Sequence, residues 1–322
     1  MKAYVYGANG AEITDVAKPA PKGTQVLVKV HACGLNRADL GMTKGHVHGS
    51  AGGAGTVLGM EWAGEVAELG PEAKGVKIGD KVMGSGSAAF AEYTLADHGR
   101  LFRTPSNMNV EEACTLPIAI STMHNAVVTN GALQPGQTVL IQGASSGVGL
   151  MAMQIAKFKG AKLVIGSSTD AARRGRLKEF GADLAVDSSD PGWVDQVLQA
   201  TGGEGVDLIV DQVSGKVASQ NLKATRIKGR IVNVGRLGGT HGDFNFDLHA
   251  ARRINYIGVT FRTRSMEEIR DIFSAVRNDI WPAVESGKLK LPIDKVLPFE
   301  DITKAFEHME ANRHLGKIVV TL

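Results

Sequence analysis

Cysteine is scarce in this chain of 322 residues, which has two, Cys33 and Cys114. They form no CxxC pair, which argues against a disulfide framework and against a cysteine-rich zinc site. Buried thiols in a reducing compartment are the simplest interpretation, so we expect a cytoplasmic protein. Apolar runs stay well short of the roughly 20 residues that a membrane-spanning helix needs. The N-terminal MKAYVYGANG is typical of a strand rather than of a secretion signal. We therefore expect no membrane association.

A large excess of charge of one sign is also absent. The net charge is +3 and the isoelectric point is about 8.8. Basic residues are scattered, apart from a short cluster at Arg173, Arg174 and Arg176. This distribution argues against a nucleic-acid partner, which requires a concentrated basic face. The length and the 43% share of hydrophobic residues predict a globular protein of two domains.

Glycine, by contrast, is abundant, with 40 residues, and it punctuates short strands in the first third of the chain. In TQVLVKVHACGLN, Val26, Val28 and Val30 alternate with Lys29 and His31, as in a half-buried strand. EWAGEVAELG, GDKVMG and FAEYTLADHG predict further strands. These segments indicate a compact β-domain that extends to about residue 118.

The pattern changes near Gln134, where strands begin to alternate with helices. QPGQTVLIQGASSGVGLMAMQIAKFKGAKLVIGSS predicts a βαβ unit, and DAARRGRLKEFGAD predicts a helix that ends at Gly181. The alternation indicates an α/β fold with a doubly wound parallel sheet. The last strand, GKIVVTL, is more similar to the β-domain. We therefore predict a β-domain of residues 1–118 and 279–322, with an α/β domain of residues 119–278 inserted into it.

The first strand-to-helix turn of the α/β domain consists almost entirely of small residues. Such a turn directs backbone N–H groups and a helix N-terminus at a pyrophosphate. Its spacing, AxxGxG, departs from the strict GxGxxG pattern, and a tight structural turn is the alternative. The surrounding βαβ unit favours dinucleotide binding. The predicted cofactor-binding residues here are Ala144, Ser145, Ser146, Gly147, Val148 and Gly149.

The end of the next strand bears on the choice between NAD and NADP. NAD sites place an acidic residue there, on the ribose 2′-hydroxyl. This strand ends at Ser167 and Ser168, and Arg173 follows on the next helix. Small hydroxyls and a guanidinium suit a 2′-phosphate, so we expect NADP(H). In the alternative interpretation, Arg173 is a solvated helix charge and Asp170 leaves its expected N-cap position to bind the ribose.

Several stretches together resemble the medium-chain dehydrogenase/reductase superfamily, and within it the zinc-free quinone oxidoreductase branch that includes zeta-crystallin-like proteins. They are KAYVYG, VLVKVHACGLNRADL, LGMEWAGEVAELG, GDKV, QTVLIQGASSGVG, GRIVNVG and NRHLGKIVVTL. The resemblance implies a GroES-like β-domain and a Rossmann nucleotide-binding domain. It also implies a homodimer joined partly through an edge strand, whose counterpart here is RRINYIGVTF.

The superfamily also contains zinc-dependent alcohol dehydrogenases, and this sequence differs from them at the metal ligands. Asn36 and Met60 stand where those enzymes carry a ligand cysteine and histidine, and neither side chain replaces those ligands on Zn²⁺. We expect no metal and a structural role for Glu61. His46 and His48 have spacing that suits a metal, but they adjoin a glycine-rich loop at residues 45–59. We expect a mobile loop over the substrate, with a plain connection as the alternative.

The resemblance also implies the residues around the nicotinamide. Asn36 and Thr122 are the predicted catalytic residues. Asn36 can donate a hydrogen bond to a substrate carbonyl, or it can be a satisfied turn residue. Asp39 and Asn312 are further candidates, and His124 is expected to be structural. The remaining predicted cofactor-binding residues are Asn233, Val234, Gly235, Phe261 and Lys317.

Without zinc, an alkoxide lacks its usual stabilising partner, whereas a conjugated carbonyl accepts hydride at an electron-poor carbon. We therefore predict an NADPH-dependent reductase of quinones or α,β-unsaturated carbonyl compounds. One alternative is a metal-independent alcohol, aldehyde or enoyl-thioester reductase. Another, of a different class, is an NADPH-binding structural or sensor protein.

Overall fold

The computed structural model describes residues 1–49 and 51–322, which form two compact units. One comprises Met1–Ile118 and Phe261–Leu322, and the other comprises Ala119–Thr260. This division differs from the predicted end of the nucleotide-binding domain at residue 278. Residues 261–278 belong to the first unit because their helix packs on its strands: Arg270 binds Asp97 at 2.7 Å, and Phe273 stacks on Phe102 at 4.6 Å.

The N-terminal part of the first unit consists mainly of strands. Its elements are β1 (Lys2–Gly7), β2 (Gly10–Asp15), β3 (Gln25–Gly34), α1 (Arg37–Met42), β4 (Val47–His48), β5 (Ala51–Gly52), β6 (Thr56–Val57), β7 (Glu61–Leu69), β8 (Lys81–Ser85), β9 (Tyr93–Asp97), β10 (Leu101–Arg103) and α2 (Val110–Ala113). A 3₁₀ turn, His98–Arg100, separates β9 from β10.

Strands and helices alternate in the second unit. Helix α3 (Pro117–His124) continues as a π-helical segment, Asn125–Asn130. The following elements are β11 (Thr138–Gln142), α4 (Gly147–Phe158), β12 (Leu163–Ser167), α5 (Ala171–Gly175), β13 (Leu184–Val186), α6 (Trp193–Ala200), β14 (Val206–Asp211), α7 (Ala218–Ala224), β15 (Thr225–Asn233), α8 (Phe246–Arg252) and β16 (Asn255–Gly258). The C-terminal part of the chain adds α9 (Met266–Asp279), α10 (Trp281–Glu285), β17 (Ile293–Pro298), α11 (Ile302–Glu310) and β18 (Lys317–Thr321).

The main sheet of the first unit has the order β10-β8-β7-β3-β18-β17, and β9 also pairs with β3. Strand β18 is antiparallel to β3, with Val320 opposite Cys33. This pairing confirms the prediction that the last strand joins the β-domain. Alternation along these strands directs apolar side chains into a core around Trp62 and Phe90.

The sheet of the second unit has the order β13-β12-β11-β14-β15-β16, and its strands are parallel. This confirms the predicted doubly wound parallel sheet. Strand β11 is buried along its whole length, as expected for a strand covered on both faces. The strand order reverses at β11 and β14, so the carboxyl ends of these strands mark the expected ligand position. Across residues 1–49 and 51–322, no helix is both long and apolar enough to cross a bilayer.

Candidate active site

The glycine-rich turn joins β11 to the N-terminus of α4, as the sequence predicts. Ser146 caps α4, because its Oγ accepts a hydrogen bond from the Gly149 N–H at 3.1 Å. A Cβ on Gly149 would lie 2.6 Å from the Cα of Ala144 and from the carbonyl oxygen of Gly143. Only glycine therefore permits this close approach of α4 to the turn. The cap, the small residues and the 12-residue helix together suit a pyrophosphate.

Two predicted serines at the end of β12 have different surroundings. Ser167 is fully buried, accepts a hydrogen bond from the Gly143 N–H at 3.0 Å and donates one to Gln142 at 2.6 Å. Its hydroxyl thus holds the turn against β12. Ser168 donates to the Ser145 hydroxyl at 3.0 Å. This second pair joins the turn to the loop in which the sequence predicts the 2′-phosphate.

Arg173 is the predicted cation at that loop, and its side chain is 16% exposed. Asp170 is the N-cap of α5 and accepts a hydrogen bond from the Arg173 N–H at 2.8 Å, which confirms its predicted capping role. The neighbouring Arg174 donates to the Ser168 carbonyl at 2.8 Å and to Asp187 at 2.9 Å. Arg174 is therefore engaged by the protein, and Arg173 forms an ion pair with the Asp170 carboxylate at 3.6 Å.

A buried hydrogen-bond network that sequence reasoning missed lies under the turn. Gln142 donates to Asn221 at 2.8 Å, and Asn221 donates to Asp211 at 3.0 Å. Asp211, in turn, accepts from the backbone N–H groups of Val213 and Ser214. Burial raises the pKa of Asp211, although these hydrogen bonds oppose the rise. The position of Asp211 at the carboxyl end of β14 was the signal that could have identified it.

The predicted nicotinamide-end residues lie at the carboxyl end of β15. Asn233 donates a hydrogen bond to the Ser214 hydroxyl, which also bonds to the Gly235 carbonyl. Val234 donates its N–H to the Asp211 carbonyl at 2.7 Å. Thr122 is half-buried on α3 of the same unit, and His124 is buried there. Phe261 is a residue of the first unit and is half-buried.

The first unit contains a buried ionic cluster of Asn36, Glu61 and Lys317. Lys317 Nζ donates to the Glu61 carboxylate and, at 3.0 Å, to Asn36 Oδ1. Asn36 Nδ2 donates to Glu61 at 3.0 Å and to the Gly34 carbonyl at 3.3 Å. The second Glu61 oxygen accepts the Ile118 N–H at 3.0 Å. Burial raises the pKa of Glu61, against the opposing effect of Lys317 and these donors.

This cluster gives Glu61 a partner that the sequence did not predict. Glu61 and Lys317 are 0% and 5% exposed at their side chains, so each charge compensates the other in a medium of low polarity. Lys317 was predicted to bind the cofactor, and the structure places its ammonium on Glu61 and Asn36. Asn312 accepts a hydrogen bond from Arg37 at 2.8 Å.

Asp39 adjoins the cluster at the first turn of α1. Its Oδ2 accepts the Asn36 N–H at 2.8 Å, and its Oδ1 has no hydrogen-bond partner within the part of the chain that the structure describes. Burial raises the pKa of Asp39 to about 7, although the bond from Asn36 and the charge of Lys317 oppose the rise. A carboxyl group that titrates near neutral pH therefore lies beside the catalytic candidate Asn36.

The cluster of Asn36, Glu61 and Lys317 does not fit a zinc ion. Lys317 and Asn36 occupy one oxygen of Glu61, and the Ile118 N–H occupies the other. A second cation there would face the ammonium group of Lys317. Cys33 and Cys114 donate to carbonyl oxygens, and burial raises their pKa values well above the ordinary range, which disfavours the thiolate form that zinc requires.

The glycine-rich loop at residues 45–59 contains a short antiparallel pair of β4 and β5. Ser50, within this predicted loop, lies outside the described residues. Among the residues that the structure does describe, no group of three or more His, Cys, Asp or Glu side chains could hold a metal ion.

Comparison with known proteins assigns both units to families. Residues 22–106 match the alcohol dehydrogenase GroES-like domain, and residues 147–276 match the family described as zinc-binding dehydrogenase. Mouse quinone oxidoreductase-like protein 2 is 31% identical over 96% of this chain and 88% of its own length. Human quinone oxidoreductase is 28% identical over 99% of this chain and 96% of its own length.

Other relatives are much longer proteins. The chain spans 14% of the length of a phenolphthiocerol/phthiocerol polyketide synthase from Mycobacterium tuberculosis, to which it is 29% identical over 96% of its own length. Among solved structures, an alcohol dehydrogenase superfamily protein from Novosphingobium aromaticivorans has a TM-score of 0.89 at 28% identity, with 100% of this chain and 99% of that chain covered. The CurK enoyl reductase has a TM-score of 0.87 at 25% identity, with 99% of each chain covered.

The chain belongs to the medium-chain dehydrogenase/reductase superfamily, with a GroES-like domain and a Rossmann domain. It is an oxidoreductase of that superfamily, with quinone oxidoreductases and enoyl reductases among its homologues. Oxidoreductases of this superfamily use nicotinamide cofactors, and the small-residue turn at the capped N-terminus of α4 suits the pyrophosphate of such a cofactor.

Proposed function

We propose that this protein reduces quinones and α,β-unsaturated carbonyl compounds with NADPH and without zinc. The observation that carries this proposal is the Glu61–Lys317 ion pair, which also holds Asn36, one of the two positions at which the resemblance expects a zinc ligand in the zinc-dependent relatives. A conjugated carbonyl needs no such metal, because hydride adds to a carbon that is already electron-poor. The quinone oxidoreductase relatives support the same substrate class.

In this proposal the second unit binds the cofactor, whose chemical contribution is a hydride. The N–H groups of the turn from Gly143 to Gly149 bind the pyrophosphate, and Ser168 and Arg173 bind the 2′-phosphate. Backbone groups of Asn233, Val234 and Gly235 support the nicotinamide end. We retain Ala144, Ser167, Thr122, Phe261 and Lys317 as proposed site residues; Ala144 and Ser167 would act by holding the turn in place.

Asn36 is the residue that we propose to orient the substrate carbonyl. Its hydrogen bond to the Gly34 carbonyl, at 3.3 Å, is longer than an ordinary N–H···O bond, whereas its bond to Glu61 is 3.0 Å. The hydrogen directed at Gly34 is therefore the one that a substrate oxygen can take. Lys317 and Glu61 would fix the Asn36 amide in the required orientation.

A panel of acceptors tests this function. Oxidation of NADPH and of NADH would be followed with a benzoquinone, a simple enone and crotonyl-CoA, before and after extensive chelation. We expect NADPH oxidation with the quinone or the enone that is unchanged by the chelator. Activity lost on chelation and restored by Zn²⁺ would contradict zinc independence. Cofactor binding without oxidation by any acceptor would instead favour a structural or sensor protein.

Reduction of an enoyl thioester is the second candidate function. The polyketide synthase relatives and the solved enoyl reductase favour it. In the panel, a kcat/KM for crotonyl-CoA well above those for the quinone and the enone would select this alternative.

We also propose a cytoplasmic homodimer. Strand β16 is the last strand of its sheet, and Tyr256 on it is 37% exposed. Cys33 and Cys114 are free, buried thiols, which suits a reducing compartment.

A further inference from the structure

A cavity of about 540 Å³ lies in the first unit, beside the edge strand β10. Its walls come from the loop before β8, from β8 and β10, from the 3₁₀ turn before β10, and from helices α9 and α10. Its lining residues include Lys74, Phe102, Asp271, Ser274, Arg277 and Trp281. None of its lining residues belongs to the cofactor or substrate site proposed above. The volume is that of an ordinary small-molecule site.

One wall of the cavity is aromatic. Phe102 of β10 stacks on Phe273 of α9 and on Trp281 of α10, with ring centroids 4.6 and 5.0 Å away and interplanar angles of 16° and 17°. Phe102 and Phe273 are buried, whereas Trp281 is half-buried. The indole N–H of Trp281 donates to Glu285 at 3.1 Å. The polar atom of Trp281 is therefore satisfied, and its ring offers an apolar surface to a ligand.

Arg277 places a positive charge at the same wall. Its Cζ lies 5.9 Å from the ring centroid of Phe102, and its Nη1 donates to the carbonyl oxygens of Leu101 at 3.0 Å and Gly99 at 3.4 Å. Within the described part of the chain, Nε and Nη2 of Arg277 form no hydrogen bond, and no acidic side chain pairs with it. Burial lowers the pKa of Arg277, but an arginine remains charged at neutral pH. The two carbonyls thus hold the guanidinium and leave its Nε and Nη2 donors for an anion.

Two other arginines of the cavity already have acidic partners. Arg270 donates to the Asp97 carboxylate at 2.9 and 2.7 Å. Arg103 pairs with Asp80 at 3.4 Å. These two pairs leave Arg277 as the arginine of the cavity whose charge is not compensated.

The remaining charges set the size of the excess. Lys74 and Asp271 are exposed, and across residues 1–49 and 51–322 neither forms an ion pair. Their opposite charges balance, so the cavity carries an excess of one positive charge, that of Arg277. One carboxylate would compensate this charge, whereas a polyphosphate would bring a surplus of negative charge towards Asp271.

We propose that this cavity is a second binding site, for a flat aromatic monocarboxylate whose carboxylate pairs with Arg277 and whose ring packs on Trp281. Nε and Nη2 of a guanidinium present two parallel N–H donors in the geometry of a carboxylate. The aromatic wall beside them suits a flat ring, and a neutral analogue leaves the charge of Arg277 uncompensated. The inference goes beyond the proposed reaction and does not depend on it.

Binding of an aromatic acid and its neutral amide tests the inference without turnover. Calorimetry would compare 2-naphthoate with 2-naphthamide on the wild type, Arg277→Gln and the control Arg313→Gln. Arg313 is an exposed arginine of the same unit that does not line the cavity. We expect Arg277→Gln to weaken 2-naphthoate binding about tenfold to a hundredfold and 2-naphthamide binding less than about twofold. Arg313→Gln should match the wild type.

A second pair of variants keeps the test decisive if Arg277→Gln does not fold. Ser274 lines the cavity on α9, is half-buried and lies one turn before Arg277. Ser274→Glu brings a carboxylate to the guanidinium and should abolish the preference for 2-naphthoate over 2-naphthamide. Ser274→Gln has the same size without the charge and should keep the preference.

Three results would overturn the inference. The first is equal affinity of the wild type for acid and amide, or no binding of 2-naphthoate at millimolar concentration. The second is an equal loss of acid and amide binding in Arg277→Gln. The third is acid-selective binding that survives in both Arg277→Gln and Ser274→Glu, because the acid would then bind at another place on the protein.

Discussion

Among single side chains, Arg173 is the one that we expect to separate NADPH from NADH. Its side chain is 16% exposed and lies 3.6 Å from Asp170, at the start of the helix that follows β12, where we propose that the 2′-phosphate binds. Arg173→Ala should weaken NADPH binding about tenfold or more and change NADH binding less than about twofold, because only NADPH carries the 2′-phosphate.

Fluorescence titration of both cofactors measures this difference. Arg176→Ala is the matched control, because Arg176 is exposed and paired with Glu179 at 2.9 Å. An equal loss of NADPH and NADH affinity in Arg173→Ala would remove the argument for NADP.

Asp39 should make stability depend on pH. Its folded-state pKa of about 7 lies above the ordinary value, so between about pH 4 and 7 the folded state holds a proton that the unfolded state has released. Stability from this group is therefore present at low pH and declines as the pH rises through that window. Asp39→Asn, whose amide oxygen still accepts the Asn36 N–H, should gain about 1 to 4 kcal/mol over the wild type between pH 4.5 and pH 8.

Urea unfolding at the two pH values checks this prediction for Asp39, with the exposed Asp15→Asn as the control. The same change in stability with pH in wild type and Asp39→Asn would show that Asp39 does not titrate in this range.

Local roles were predictable from the sequence where neighbours along the chain determine them. Asp170 was expected as an N-cap, which the structure confirms. Gly181 was expected to end the same helix, but the structure divides this segment into α5 and a 3₁₀ turn, Leu177–Phe180, and Gly181 ends the turn with a left-handed φ of 97°. The partner of Glu61 was not predictable. Lys317 is 256 residues away, and the pairing of β3 with both β7 and β18 brings the two together. Sequence patterns do not encode such a register.

The β11–turn–α4 segment depends on the absence of a side chain at Gly149. Gly149→Ala would place a Cβ 2.6 Å from Ala144 and Gly143, so the turn must shift at a cost of about 1–3 kcal/mol. We expect a lower thermal midpoint and a loss of cofactor affinity together. Gly175→Ala is the control, because nothing lies within 4 Å of a Cβ there and alanine favours the helix.

Thermal unfolding and NADPH titration of both glycine variants provide the measurements. Normal NADPH affinity in Gly149→Ala would argue that the turn does not contact the cofactor. A loss of affinity in Gly175→Ala would show that the method does not distinguish the turn from the rest of the unit.

Helices and strands with a clear hydrophobic pattern were predictable from the sequence. Features that depend on packing between distant residues were not. The alternation in β3 and the buried run in β11 each indicated a strand, which the structure confirms. The π-helical segment Asn125–Asn130 has no such pattern. The unit to which helix α9 belongs was not evident from the sequence, because its apolar face, which contacts Phe102, does not indicate which sheet it covers.

The order of elements along the whole chain was predictable from the sequence pattern. Strands come first, then strands alternate with helices, and a terminal strand ends the chain. Pairing of β18 with β3 returns the chain to its first unit. The second unit, in contrast, ends its sheet at β16, which leaves one edge of that strand without a partner strand in residues 119–260. An open edge of this kind is either protected or used for association.

Aromatic residues beside that edge indicate association. Phe246 is 76% exposed, and Phe244 lies between it and Tyr256, with ring centroids 5.0 and 5.6 Å away. A twofold axis at β16 would join two sheets and cover these rings in both copies. We therefore expect a dimer, and Phe246→Asp combined with Tyr256→Asp should convert it to a monomer, because four carboxylates would be brought into one interface.

Sedimentation velocity at micromolar concentration distinguishes the two states. Phe158→Asp is the matched control, since Phe158 is an aromatic residue of the same unit that is 43% exposed and lies at the end of α4. A wild-type monomer, or a dimer that persists in the double variant, would exclude this edge as the interface. If only the double variant dissociates, the unpaired edge of β16 in one chain is the edge that a second copy of the chain covers.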